Sequence, residues 1–118
     1  MNSRFEFQFD ERLGIQIPVQ HHDWDEYTRE EQEDVIHRWE AIRSRIPDRI
    51  KALEEIIEDR QLKISVEEDW DVVIALYEDV FTIASVINDL NNWMRLEPST
   101  TYVEGHGLAE EHTSREKD

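Results

Sequence analysis

Four metal-capable side chains, His21, His22, Asp23 and Asp25, fall within one short stretch, and imidazole with carboxylate is a donor set for zinc, nickel or copper. Neighbouring ligands seldom converge on one ion without help from distant residues. The His-His pair in this polar connector therefore reads as solvated. Asp34 and His37 stand three apart, the half-motif that helical-bundle di-iron sites use in duplicate. No second half follows, and His37 reads as a surface histidine.

Paired acids are the remaining source of chemistry. All-α nucleotide pyrophosphohydrolases hold magnesium with carboxylates on facing helices, because an octahedral ion takes carboxylate and water. Glu55 with Glu58, and Glu68 with Asp71, have the required spacing of three. A further pair deeper in the second arm is lacking, since Glu78 and Asp79 are adjacent and diverge around a helix. Ser, His and Asp are scattered, with no Gly-x-Ser-x-Gly elbow and no phosphate-cradling glycine loop. No catalytic residue, cofactor site or metal site is assigned from the sequence.

The elements that would position these residues are legible in the hydropathy pattern. Phe5, Phe7 and Phe9, then Leu13, Ile15, Ile17 and Val19, occupy alternate positions, the period of a strand. Turn residues lie between the two sets. This predicts a small β-hairpin over about residues 4–20, with its Phe and Ile face laid either on the helices or on another subunit.

Thr28 and Glu31 form a capping box. A helical stripe follows through Val35, Trp39, Ile42, Ile46, Ile50, Leu53 and Ile57, in steps of three and four. Pro47 interrupts it, removing a backbone donor at a cost of about 3 kcal/mol in a helix interior. The first arm is therefore expected to kink or break near Pro47. Ser65 and Glu68 read as a second capping box, opening a long helix whose stripe runs through Trp70, Val73, Ile74, Tyr77, Val80, Phe81, Ala84, Ile87 and Leu90 to Trp93 or Met94. Only Ile64 and Ser65 separate this helix from the first arm, and so short a link favours antiparallel neighbours. Residues 98–118 read as a flexible acidic tail, leaving residues 1–97 as a single helical domain.

Composition bounds the function. Asp and Glu outnumber Lys and Arg 29 to 13, for a net charge of −16. That field repels phosphates and anionic membranes, so neither nucleic acid nor membrane is an expected partner. Cysteine is absent, no apolar run reaches membrane-spanning length, and residues 1–10 lack a secretion-signal core, which together suggest a cytoplasmic protein. The basic cluster Arg43, Arg45, Arg49 and Lys51 is interleaved with acids and is better suited to pairing with the acidic second arm.

The expected fold is thus mainly α: a long antiparallel helical hairpin with a small N-terminal β-hairpin. Two arms leave no second layer behind their stripe, so two copies are expected to dimerise into a four-helix bundle. Trp39, Ile46, Ile50, Leu53, Ile57, Trp70, Tyr77, Phe81 and Trp93 are the expected partner-binding residues. The function that follows is a non-enzymatic interaction or regulatory protein, self-associating through that stripe. An acidic inhibitor of a basic protein, of the DNA-mimic or immunity type, is the alternative. The magnesium-dependent pyrophosphohydrolase is the second.

Overall fold

Asp10 and Gly14 close the first turn of the chain. Gly14 donates its N–H to the Asp10 carbonyl at 2.7 Å, and Leu13 donates to the Asp10 side chain at 2.9 Å. Gly14 has φ of 78°, a left-handed value that costs a residue with a Cβ about 1–2 kcal/mol. The turn joins β1 (Phe5–Asp10) to β2 (Ile15–Gln20) as an antiparallel pair.

The computed structural model describes residues 5–97, so Arg4 and the expected tail over 98–118 lie outside the described residues. The described chain is mainly helical. A 3-10 turn at Trp24–Glu26 precedes α1 (Arg29–Arg43), α2 (Ile46–Val66) and α3 (Trp70–Met94). Residues 5–43 with 96–97 belong to one compact unit, and residues 44–95 to another.

In the first unit, the register corrects the expectation of a shared Phe and Ile face. Phe5 pairs with Gln20, Phe7 with Pro18 and Phe9 with Gln16, so odd positions on one strand oppose even positions on the other. Directly opposed residues share a face. The Phe set and the Ile15, Ile17 and Val19 set therefore lie on opposite faces. The reason is the number of turn residues, which fixes the parity of pairing whatever the hydropathy of each strand.

Phe5 is buried with Tyr27 and Val35, and Phe7 and Trp24 pack against them. The Tyr27 hydroxyl accepts the backbone N–H groups of both His21 and His22 at 3.2 Å, tying down the connector into α1. The Thr28 capping box forms: Glu31 donates its N–H to the Thr28 hydroxyl at 3.0 Å, and Thr28 donates to the Glu31 carboxylate at 2.8 Å. Trp39 is buried, its indole N–H donating to the Leu96 carbonyl at 3.2 Å, and Arg43 pairs with Glu97 at 3.5 Å.

The helix breaks where proline requires it. Arg43 ends α1 because its carbonyl would need the N–H that Pro47 lacks. Only Ser44 and Arg45 leave the helix, and Pro47 sits in the first turn of α2, where no donor is missed.

The second unit is an antiparallel helical hairpin of α2 and α3 joined by Glu67–Asp69. Arg60, seven residues before the link, reaches Asp79, ten residues after it, at 3.3 Å, as antiparallel neighbours allow. The expected Ser65–Glu68 capping box does not form. Ser65 lies inside α2 and its hydroxyl donates to the Leu62 carbonyl at 2.7 Å. Asp69 caps α3, accepting the Asp71 N–H at 3.0 Å, while Glu67 accepts the Asp69 N–H at 3.0 Å. An aspartate closer to the first apolar residue displaces the more distant serine.

Ile46, Leu53, Val73, Val86 and Leu90 are the buried apolar residues of this unit. Leu53→Ala is expected to cost about 2–5 kcal/mol in denaturant unfolding followed by circular dichroism. Leu62→Ala, on the exposed side of the same helix, should change stability by less than about 0.5 kcal/mol.

Candidate interaction surface

The polar clusters are held by local partners. His21 Nε2 lies 2.9 Å from a Glu6 carboxylate oxygen, and His22 Nδ1 lies 3.2 Å from Glu26. The two imidazoles thus engage different acids. Asp34 pairs with Arg38 at 3.3 Å, not with His37. Glu55, Glu58, Glu68 and Asp71 are all exposed. Among the described residues, no group of three or more His, Asp or Glu side chains is placed to hold a metal ion. No described helix is long and apolar enough to cross a membrane.

The apolar surface of α3 divides into two adjoining stripes. Val73, Leu76, Val80, Ile83, Ile87 and Leu90 are buried or half-buried and form the seam with Ile46, Ile50, Leu53, Ile57 and Ile64 of α2. Displaced by one position, Trp70, Ile74, Tyr77 and Phe81 recur in steps of four, three and four. They are 70%, 46%, 45% and 67% exposed. Tyr77 and Phe81 stack with ring centroids 6.2 Å apart. The eleven steps from Trp70 to Phe81, at about 1.5 Å each, make this stripe roughly 16 Å long.

Among the known proteins compared, no family model, curated protein or solved structure matches the chain.

Helix geometry places the charges around the stripe. At 100° per residue the stripe lies about 120° from the seam centre of α3 in one sense, and Asp79 about 70° in the other. The Arg60–Asp79 pair therefore marks the opposite side of the hairpin. On that side Asp59 also takes Lys63 at 3.2 Å and Arg60 at 2.7 Å, and the Lys63 ammonium, with Arg60, holds its carboxyl below the usual carboxylate range. On the stripe side, α2 turns Glu54, Glu58, Gln61 and Ser65 outward. Along the outer flank of the stripe stand Asp71 and Glu78. These four carboxylates are exposed and have no ion-pair partner among the described residues.

The expected partner-binding residues thus separate by environment. Trp39, Ile46 and Leu53 are buried within the chain, so they are core and not available surface. Ile50 and Ile57 are half-buried in the seam, and Trp93 is half-buried near the end of α3. Trp70, Tyr77 and Phe81 are open. Ile74 joins them, a residue not picked out as partner-binding from the sequence although its four-residue step from Trp70 was available.

The Glu6 carboxyl is held below its ordinary range, chiefly by the hydrogen bond from His21 and then by Gln8. A lowered folded-state value means that this contribution to stability is present above the unfolded value and lost as pH falls through the folded one. Carboxyl-detected NMR titration should place the Glu6 midpoint below that of an unstructured glutamate. In His21→Ala the midpoint should move back up.

Proposed function

We propose that the protein is a non-enzymatic interaction protein that self-associates through the outer stripe of α3. The observation that carries this reading is the alignment of Trp70, Ile74, Tyr77 and Phe81, open to solvent along one helix face. Isolated exposed apolar residues are ordinary, whereas a contiguous row of large ones is the pattern of an interface. The seam takes most of the apolar residues of α2 and leaves Ile56, Leu62 and Val66 as its exposed large ones, a shorter set than that of α3. A second copy would therefore meet α3 with its own α3, and the four-helix arrangement would centre on that pair.

Magnitudes set the strength. Fully burying each such side chain is worth about 1.5–3 kcal/mol, and in a two-fold pair both copies contribute. With these residues already partly covered, the gross gain is on the order of 10 kcal/mol, against an association cost of about 4–15 kcal/mol. A dimer no tighter than roughly micromolar follows.

Like charges oppose this pairing and salt screens them. Sedimentation equilibrium should show a dimer whose fraction rises with protein concentration and rises again with added salt. The double variant Trp70→Ser/Phe81→Ser should be monomeric, with a thermal midpoint close to that of the parent because both side chains are exposed. A single-copy mass for the parent at every concentration in high salt would remove self-association from the reading.

A further inference from the structure

Carboxylates border the α3 stripe on both sides, interspersed on the α2 side with the neutral Gln61 and Ser65, and the two cations of the last turns of α2, Arg60 and Lys63, are engaged elsewhere. Glu54 and Glu58 lie along its α2 side, Asp71 and Glu78 along its outer side, all four without an ion-pair partner among the described residues. Arg60 and Lys63 are held on the opposite side by Asp59 and Asp79. When two copies pair through this face, acidic borders approach acidic borders. When the incoming surface carries an apolar stripe between rows of Lys or Arg, the same four carboxylates gain partners.

We infer that the preferred occupant of the α3 stripe is a cationic amphipathic helix of another polypeptide, which displaces a second copy of this chain. The inference rests on the stripe being an interface, as proposed above, and names the chemistry of its partner. A helix fits because Trp70, Ile74, Tyr77 and Phe81 rise along a straight row about three turns long, matching anchors at i, i+3 or i+4, and i+7 on an incoming helix. Cationic borders fit because opposite charge along the rim steers encounter and selects the partner, while apolar burial supplies the affinity.

Three synthetic peptides of roughly eighteen residues test this, long enough to hold a helix on contact. The first has Leu in steps of four and three with Lys on both flanks. The second exchanges the flanking Lys for Glu, and the third keeps Lys but replaces Leu with Ser. Binding is read by NMR shifts of the α3 amides and by calorimetry, with sedimentation on the same samples.

The first peptide should bind and shift the resonances of residues 70–81. Its affinity should fall at least tenfold between about 0.05 M and about 0.5 M salt, and saturating amounts should convert dimer to a one-to-one complex. The other two peptides should bind at least tenfold more weakly. Glu58→Gln/Glu78→Gln should weaken the first peptide severalfold and strengthen self-association, two effects that a simple loss of folding would not produce together.

Equal binding of the Glu-flanked peptide, equal binding by Trp70→Ser/Phe81→Ser, or no binding of the first peptide would each overturn the inference. In the last case a salt-promoted dimer would leave self-association standing. Conversely, a monomer at every concentration that still binds the first peptide would remove self-association and keep the cationic occupant.

Discussion

The constraint on which the second unit depends is an imbalance of apolar arc between its two helices. The seam of α2 takes one narrow stripe, from Ile46 to Ile64, and most of the remaining circumference is charged. The apolar residues of α3 continue past the seam into Trp70, Ile74, Tyr77 and Phe81. One helix can cover only the ridge it packs into, an arc of about 100°. In a two-helix unit the surplus must face outward. This is why Trp70, Ile74, Tyr77 and Phe81 stand uncovered along α3.

Charge is sorted with respect to the same seam. On the side away from the stripe, Arg60 bridges Asp59 and Asp79, and Lys63 joins Asp59. Each of these exposed pairs contributes little by itself, because water and salt screen it. Their consequence is spatial: the cations of the last turns of α2 are committed to one face, so the stripe face is left with unpaired acids. A segment whose formal charges nearly cancel along the sequence, as the eight basic and ten acidic residues of 28–63 do, thus still turns Glu54 and Glu58, with the neutral Gln61, toward the apolar row. Net charge alone would not have located that border.

How much of this was legible depends on what each pattern encodes. The helical stripes, the Thr28–Glu31 cap and the break at Pro47 follow from local rules, so they could be placed from the sequence. The sheet register could not. Hydropathy periods show that each strand has two faces, but the pairing of Phe5 with Gln20 is fixed by turn length, and it sends the two apolar sets apart. The start of α3 is ambiguous in the sequence because Ser65 and Asp69 both satisfy a capping pattern, and only the run of α2 through Val66 decides between them. The division of the α3 stripe was present in the spacing, where Trp70, Ile74, Tyr77 and Phe81 form one series and Val73, Leu76, Val80 and Ile83 another. Merging them into one broad face hid which series would be covered. Trp39 was hidden differently: its burial comes with a hydrogen bond to Leu96, a contact far away in sequence.

An uncovered apolar row raises the question of what keeps the chain from associating indiscriminately. The acidic borders answer it physically. Glu54, Glu58, Asp71 and Glu78 impose a like-charge cost on any approaching surface that is itself acidic, including another copy, and no such cost on a cationic one. The cost acts within about 10 Å at ordinary salt, the distance over which rim groups meet as the stripe is being covered. Apolar contact alone would accept any greasy surface of matching shape. Apolar contact inside an acidic frame would accept fewer, and under the proposal above the identity of the occupant would depend on ionic strength as well as on fit.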